Sequence, residues 1–455
     1  MTRPLIWQHQ PRAVEFSCTT AKHDAFIVVA RNRDNFGFLR YKENVAPRGT
    51  VSVGKPHHDL DEGSMTEERV FAELQSDAST LHESIRMHLE RNFAPDARKY
   101  LRSFSSTEAA EFLGLAPGHL RKLHAEDKIP DVPLDERGRK LYSADDLAQI
   151  RLALARTTRD PSLYLRGRVG SEPLQIISCV SFKGGSAKTT TAAYLSQWYA
   201  LHGYRVLVID MDPQASLSSM TGLRPEIDFT HQGTIYDAIR YENPVPMSEV
   251  VRKTYFHGLD IAAGGLILSE YETETPYALR RGSEPPFYLR LREAILSVEA
   301  SYDLVFIDCP PQLGFLTLSA LVASSSIIIP VVPNFIDVAS LAQFLTMTSS
   351  LLDTIREAGM TLEYDFLRYL VSRFEPSDGP QAQVAGLLRA NFGKRVMTET
   401  FLKSTAVSDA GLTHQTLFEV GRGSMNRNTY DRAMESINAV ARELEQDIHR
   451  AWGRG

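Results

Sequence analysis

Cysteine is scarce in this chain, and long apolar runs are missing. Three cysteines, Cys18, Cys179 and Cys309, are dispersed over 455 residues without a C-x-x-C pair. This spacing excludes a disulfide framework and a cysteine-based zinc cluster, and it fits a reducing cytoplasm. Since no apolar run reaches about 18 residues, we expect no membrane span. The sequence also shows no signal peptide and no internal repeat, and we therefore expect a cytoplasmic protein.

An excess of positive charge is missing as well. The formal net charge is −6, so the overall composition gives no argument for nucleic-acid binding, and any contact with DNA must come from local patches. The hydrophobic share of 43% and the charged share of 23% are those of a globular chain. The length predicts two to three domains.

The most informative stretch is a glycine-rich turn between two predicted strands. Apolar runs at 174–180 and 205–209 predict buried strands, and the helical stretch between them stops at Gly203. Two glycines let backbone N–H groups close around phosphate oxygens, and the start of the following helix adds partial positive charge. Lys188 can reach the β- and γ-phosphates, and the Thr189 hydroxyl can bind Mg²⁺. The predicted nucleotide-binding residues of this turn are Lys183, Gly184, Gly185, Ser186, Ala187, Lys188, Thr189 and Thr190.

The turn departs from the ordinary phosphate-binding pattern in one direction. That pattern has glycine at the positions of Phe182 and Ala187, whereas here a second lysine, Lys183, heads the loop. The turn thereby resembles the deviant Walker A box, K-G-G-x-x-K-[ST], of the ParA/MinD family. The resemblance implies that Lys183 reaches across a nucleotide-sandwich dimer to the ATP of the partner. A glycine-rich turn with incidental lysines is the alternative.

Acidic residues close two further predicted strands. Carboxylates at the carboxyl end of a strand face the ligand crevice of an open α/β sheet. The string D-M-D-P-Q at 210–214 resembles the first switch of the family, which implies that Asp212 positions the attacking water and that Asp210 lies near the metal. A helix cap formed by Asp212 is the alternative. The run ending in Asp308 resembles the family's Walker B strand, with a structural aspartate as the alternative. The predicted metal ligands are Thr189, Asp210 and Asp308, and the predicted catalytic residues are Lys183, Lys188 and Asp212.

Later segments carry expectations that come from the resemblance alone. Apolar runs at 326–333 and 366–371 predict two more buried strands. The resemblance implies that Pro333 and Asn334 flank the adenine. It also implies that Arg373 and Lys403 contact DNA without sequence preference, and a solvated charged face is the alternative.

A second motif lies before the glycine-rich turn. Ser106 is predicted to cap a short helix that breaks at Gly114, and Pro117 opens a second helix. This helix pair is followed by a predicted hairpin with a basic tip, so the region resembles a winged helix-turn-helix of the MerR kind. An ordinary helical hairpin is the alternative. The predicted DNA contacts are His119, Arg121 and Lys122 on the second helix, and Arg137, Arg139 and Lys140 on the wing.

The domain organisation follows from these motifs. Residues 1–64 show no motif, and Met65 is a possible true start. Residues 65–100 form a predicted helical segment with a possible role in dimerisation, 101–157 the winged helix-turn-helix, 158–172 a linker and 173–455 the ATPase domain. The predicted fold class is α/β, with a mostly parallel P-loop sheet flanked by helices and preceded by the α-helical winged domain.

Taken together, the motifs resemble the large ParA-type partition ATPases that carry an N-terminal DNA-binding domain, above all the RepA group of repABC plasmid operons. The resemblance implies a plasmid partition ATPase that uses ATP and Mg²⁺ and forms an ATP-dependent homodimer. It also implies slow hydrolysis stimulated by a ParB/RepB-type centromere-binding protein, association with nucleoid and plasmid DNA, and repression of its own operon.

Three other classes compete with this interpretation. A nucleotide-responsive transcriptional repressor without a partition role would use the same winged domain. A MinD-like membrane ATPase would need a basic C-terminal helix, whereas the stripe at 430–452 alternates acidic and basic residues and favours a core helix. A reductase of the nitrogenase iron-protein type would need paired cysteine ligands.

Overall fold

A computed structural model describes residues 15–20, 26–32, 35–36, 67–92, 99–229 and 233–454. The chain divides into two compact units, residues 1–83 and 84–455. In the first unit, three strands form an antiparallel sheet in chain order. Met65, the possible start, lies outside the described residues.

The elements of the described residues are as follows. The strands are β1 (Glu15–Thr20), β2 (Phe26–Asn32), β3 (Asn35–Phe36), β4 (Gln175–Cys179), β5 (Val206–Asp210), β6 (Arg252–Lys253), β7 (Leu259–Ala262), β8 (Leu304–Asp308), β9 (Ser326–Val331) and β10 (Phe366–Val371). The helices are α1 (Glu67–Asn92), α2 (Ser106–Leu113), α3 (Pro117–Ala125), α4 (Ala144–Thr157), α5 (Lys188–Leu201), α6 (Ser216–Met220), α7 (Pro225–Asp228), α8 (Ile235–Ile239), α9 (Met247–Val250), α10 (Leu268–Arg281), α11 (Phe287–Leu296), α12 (Phe315–Ala323), α13 (Phe335–Glu357), α14 (Gly379–Phe392), α15 (Thr405–Leu412) and α16 (Arg427–Ala451).

The second unit contains a seven-stranded sheet. Its order is β10-β9-β4-β8-β5-β7-β6, and every neighbouring pair is parallel except β6 and β7. Strands β4, β5 and β8 are buried along their whole length, as expected for strands that helices cover on both faces. The sheet confirms the predicted α/β class, and it brings the carboxyl ends of β4, β5 and β8 to one edge.

The helix-turn-helix region forms the predicted pair of helices. Helix α2 begins with a capping box between Ser105 and Glu108, so the predicted cap, Ser106, is instead the first helical residue. Gly114, with φ of +69°, ends α2 in the left-handed conformation, and Pro117 occupies the first position of α3. The wing closes where Leu134 pairs with Lys140 in an antiparallel bridge.

One buried arginine joins this region to the helix that follows the glycine-rich turn. Arg151 of α4 is 5% exposed, and its guanidinium donates to the carbonyl oxygens of Phe112 (3.0 Å) and Leu201. Leu201 is the last residue of α5. A Cβ atom on Gly203 would lie 2.8 Å from Arg151 Cδ, so the glycine permits this close approach. The contact fixes the winged region against the ATPase core.

The predicted linker is held along much of its length. Arg166 forms an ion pair of 2.9 Å with Glu445 of α16, and Arg168 donates to the Glu299 carbonyl at 2.7 Å. Arg454 donates to the Gly167 carbonyl at 2.7 Å and to the Glu172 carboxylate at 2.7 Å. Residues 158–172 therefore form a strap on the ATPase surface and not a free connection.

Among the described residues, one helix is long and apolar enough to cross a membrane by length and composition alone. It is α13, whose most apolar 18-residue window has a mean hydropathy of 1.3 and is 22% buried. The sequence analysis missed it because serines, threonines and Asp337 interrupt the apolar run. In the structure α13 connects the parallel strands β9 and β10, a connection that parallel pairing requires.

Arg151 yields a stability prediction. Replacing it with methionine keeps the apolar stem but leaves two buried carbonyl groups without their donor. We expect a loss of about 2–3 kcal/mol in the free energy of unfolding, measured by urea denaturation. Arg156→Ala on the exposed face of the same helix is the control, with an expected change within about 0.5 kcal/mol. Equal effects of the two substitutions would contradict the assigned role.

Candidate nucleotide and magnesium site

The glycine-rich turn connects β4 to α5 and adopts a strained backbone. Gly185 and Ala187 both have positive φ values, +75° and +73°. Ala187 is the residue immediately before α5, at the position where the usual pattern has glycine. A left-handed alanine is uncommon, so the surrounding contacts must hold the loop in this form.

Contacts from the end of β10 supply that support. The Ser372 hydroxyl donates to the Ser186 carbonyl at 2.9 Å, and the Arg373 guanidinium donates to the Gly185 carbonyl at 3.3 Å. Arg373 itself has a φ of +52°, a second strained non-glycine residue beside the loop. Sequence analysis missed Ser372 entirely, because nothing in its local pattern indicates which loop its strand end touches.

Two buried carboxylates lie next to each other where β5 and β8 end. Asp210 and Asp308 are register partners on these neighbouring strands, and both are fully buried. Asp210 accepts hydrogen bonds from the Ser218 backbone N–H (2.8 Å) and hydroxyl (2.7 Å), whereas neither carboxylate oxygen of Asp308 has a hydrogen-bond partner. Such an unpartnered buried charge requires a compensating group.

The electrostatics of the pair agree with this geometry. Burial raises the pKa of Asp308 well above its ordinary value, and the charge of Asp210 raises it further. Burial likewise raises the pKa of Asp210 to about 6, although the hydrogen bonds from Ser218 oppose the shift. Lys188, the first residue of α5, is 6% exposed, and burial lowers its pKa while Asp308 opposes that change. The site thus holds two carboxylates and one ammonium away from water.

Hard oxygen donors of this kind fit Mg²⁺. Asp308 supplies unpartnered carboxylate oxygens, and the Thr189 hydroxyl lies close enough to counter part of the pKa shift of Asp308. Within the described ranges there is no cluster of three or more His, Cys, Asp or Glu side chains. Magnesium keeps most of its ligands as waters and phosphate oxygens, so one or two carboxylates suffice.

Asp212 lies at the edge of this charged pair. Its side chain is half-buried and accepts a hydrogen bond from the Gln214 backbone N–H at 2.9 Å. The next helix, α6, begins only at Ser216, so Asp212 does not cap it and the capping alternative is wrong. Gly264, which sequence analysis missed, permits the arrangement: a Cβ atom there would lie 2.9 Å from Asp210 Cγ and from the Asp212 carbonyl oxygen.

A cavity of about 550 Å³ extends from the glycine-rich turn to α15 and α16. At one end it is lined by Lys188, Thr189 and Asp212. Its other end is lined by Phe401, Val407 and Ile437, among other residues. The cavity therefore combines a charged end with a largely apolar end, as a nucleotide requires.

Two predicted base-flanking residues lie elsewhere. Pro333 and Asn334 do not line this cavity. Asn334 precedes the first turn of α13, beside an ion pair between Lys183 and Asp337. The loop after β10, and not the loop after β9, folds over the glycine-rich turn.

Two residues predicted to contact DNA line the cavity instead. Arg373 and Lys403 both belong to its wall, and Lys403 forms an ion pair of 3.0 Å with Glu375. Neither position was predicted to face the nucleotide, because the sequence does not show which face of these loops is turned inward.

The predicted DNA contacts of the winged region lie on its surface. His119, Arg121 and Lys122 are exposed along α3. On the wing, Arg137 and Arg139 are exposed, while Lys140 is half-buried. Several of these cations have acidic neighbours: Lys122 pairs with Glu126, Arg139 with Asp135 and Lys140 with Asp131.

The unpartnered carboxylate of Asp308 leads to a prediction. Asp308→Asn removes a buried charge without removing a hydrogen bond, so we expect the nucleotide-free protein to gain about 1–2 kcal/mol in stability. The same substitution should abolish the increase in thermal stability that ATP and magnesium produce. Differential scanning fluorimetry with and without both ligands measures the two effects.

A matched control lies just before the same strand. Asp303 is equally buried but accepts hydrogen bonds from the backbone N–H groups of Arg168 (3.0 Å) and Arg205 (2.8 Å) and from the Arg205 guanidinium. Asp303→Asn should therefore destabilise the nucleotide-free protein. If both substitutions destabilise it to the same extent, the cation site at Asp308 is wrong.

Comparisons with known proteins agree with this geometry. Residues 174–359 match a family model described as an AAA domain. A protein named replication protein A in Rhizobium rhizogenes is 47% identical over 84% of this chain and 95% of its own length. The chromosome partitioning protein ParA of Caulobacter vibrioides is 30% identical over 53% of this chain and 85% of its own length.

One solved structure shares the fold over most of the chain. A structure described as a partition protein covers 82% of this chain and 98% of its own, with a TM-score of 0.58 and 18% identity. The match to the Rhizobium protein extends beyond the α/β sheet, and the match to ParA covers a little more than half of the chain. On these matches, this chain belongs to the ParA family of partition ATPases.

Proposed function

We propose that this chain is a plasmid partition ATPase whose two copies close around two ATP molecules and bind DNA in that state. The observation that carries the proposal is the buried, unpartnered Asp308 carboxylate beside Lys188 and the glycine-rich turn. A charged site of this kind is stable only with a cation and phosphates present.

The phosphates would lie at the start of α5. Backbone N–H groups of the turn and the N-terminus of the 14-residue helix supply positive potential there. Lys188 adds a buried ammonium, which stands free of any paired carboxylate in the described residues and donates only a long 3.4 Å contact to the Lys183 carbonyl. Its role is to neutralise the β- and γ-phosphates.

The metal would lie between the phosphates and the two strand ends. Thr189, Asp210 and Asp308 are the groups that would hold it, directly or through water. When bound, Mg²⁺ neutralises charge on the phosphate oxygens. Asp210 is kept in place by Ser218, and Asp308 by the backbone of the central strand.

Asp212 would act on the attacking water. Its carboxylate lines the charged end of the cavity, and the hydrogen bond from Gln214 N–H leaves the second carboxylate oxygen for a water molecule. A carboxylate in this position orients the water and accepts its proton. Slow turnover follows if the geometry is completed only when a partner protein binds, and we propose a ParB/RepB-type centromere-binding protein in that role.

The base would occupy the apolar end of the cavity, near Phe401, Val407 and Ile437. Arg373 lies between the two ends and donates to the Gly185 carbonyl. We therefore assign Arg373 to the nucleotide, in place of the DNA contact expected from the sequence.

The rim of the cleft supports closure of two copies. Three apolar side chains next to it are strongly exposed: Phe335 and Ile336 at 74%, and Leu266 at 69%. Leu266 follows Gly264, the glycine that touches Asp210 and Asp212. Apolar groups exposed around a charged cleft indicate an interaction surface, and a second copy would cover them.

DNA would be bound by two surfaces. The winged region would read an operator through α3 and the wing, which accounts for repression of the chain's own operon. The ATP-bound dimer would bind DNA without sequence preference, in the cytoplasm on nucleoid and plasmid DNA. A repressor without a partition role would use the same winged region, but the named relatives favour partition.

The division of labour between Lys188 and Asp212 tests the proposed function. Lys188→Ala should abolish ATP binding, since it removes the buried ammonium. Asp212→Ala should retain binding and dimerisation but slow hydrolysis by roughly 100-fold. Binding of a fluorescent ATP analogue and phosphate release measure the two steps, with Lys253→Ala on the edge strand β6 as a control. Equal loss of nucleotide binding in both variants would contradict the role of Asp212.

The reassignment of Arg373 is tested separately. Arg373→Ala should weaken ATP binding by roughly five-fold, the loss of one partly exposed, charge-assisted hydrogen bond. Arg389→Ala on α14 is the matched control, because Arg389 is exposed and does not line the cavity. If Arg373→Ala keeps its ATP affinity but lowers the salt dependence of DNA binding, the DNA assignment is right and ours is wrong.

A further inference from the structure

The leading lysine of the glycine-rich turn does not face the nucleotide cavity. Gly184, Gly185 and Lys188 line that cavity, but Lys183 does not. Its ammonium forms an ion pair with Asp337 on α13 and borders a separate, smaller depression together with Ser340 and Phe344. The side chain is 48% exposed, so it is free to move away from this contact.

Asp337 is a much less exposed partner. Its side chain is 8% exposed and lies in the first turn of α13, where the helix dipole stabilises negative charge. Asn334 Nδ2 lies 3.5 Å from the second carboxylate oxygen, at the limit of a hydrogen bond. Among the described residues, Lys183 is the one cation paired with Asp337.

The contact gives the Lys183 ammonium two competing positions. It can neutralise Asp337 within its own chain, or it can reach phosphates in a second copy. Leaving Asp337 exposes the protein to a buried carboxylate without a cation, which is unfavourable. Closure of two copies therefore has to overcome the loss of this ion pair.

The location of Asp337 strengthens the competition. Phe335 and Ile336, which immediately precede it, are the exposed apolar side chains of the cleft rim. Covering them with a second copy would remove water from the surroundings of Asp337 as well. The ion pair and the proposed contact between copies thus occupy the same surface.

We propose that Asp337 is a positioning residue that holds Lys183 away from nucleotide in the single chain and thereby sets the ATP concentration at which two copies close. The proposal rests on the sandwich dimer proposed above. It assigns to Asp337 a restraining role in the assembly of the site.

Asp337→Asn in the full chain tests the proposal, since the substitution removes the charge at nearly constant volume. We expect the ATP concentration for half-maximal dimerisation, measured by light scattering after size exclusion with magnesium present, to fall by roughly two- to ten-fold. Asp353→Asn is the control, because its exposed carboxylate pairs with Arg356 on the same helix. That variant should dimerise like the wild type, and so should Asp337→Glu, which retains the charge.

A second measurement does not depend on dimerisation. In nucleotide-free protein, an amine-reactive reagent should label Lys183 faster in Asp337→Asn than in the wild type, with the labelled peptide quantified by mass spectrometry. Thermal unfolding of each variant shows that it is folded.

The outcomes separate the two proposals. If the wild type closes with ATP but Asp337→Asn needs as much ATP or more, and Lys183 labelling is unchanged, the restraining role is overturned while the proposed function stands. If the wild type stays monomeric at saturating ATP and magnesium, the sandwich dimer is overturned and the restraint with it.

Discussion

The Asp308 carboxylate lies at the end of the central strand of the sheet, fully buried and without a hydrogen-bond donor among the described residues. A folded protein tolerates such a group only if it is protonated or if a cation binds beside it. The surrounding structure is arranged for the second solution. Lys188, the start of α5 and the polar residues of the adjacent strand ends all direct positive or hydrogen-bonding groups to the same place. The stability of the empty site is thus lower than that of its neighbourhood, and ligand binding restores it.

Much of this could be predicted from the sequence, for a physical reason. Strands β4, β5 and β8 are short apolar runs that end in a glycine-rich turn or an acid, and parallel pairing necessarily brings those ends to one edge. The phosphate-binding turn and its three carboxylates depend on local sequence, so Lys188, Asp210 and Asp308 were found without a structure. The same holds for the helix pair at 106–125, whose glycine and proline mark its boundaries.

The remaining features depend on which loop folds over which, and local patterns do not contain that information. Arg373 and Lys403 are exposed basic residues by sequence, but the loop after β10 turns them toward the cavity. Pro333 and Asn334 follow a similar strand, yet their loop leads into α13 on another side of the turn. The strap at 158–172 has the composition of a linker, and only its ion pairs with distant residues such as Glu445 show that it is held.

The contact between Arg151 and the end of α5 has a geometric consequence. Helix α5 has 14 residues and is therefore about 21 Å long, with the phosphate-binding lysine at one end and the winged region fastened at the other. In an assembly with two-fold symmetry, a rigid connection of this kind makes the separation between two α3 helices a fixed property of how the ATPase halves meet. The number of base pairs between two operator half-sites would then serve as a ruler for the closed form.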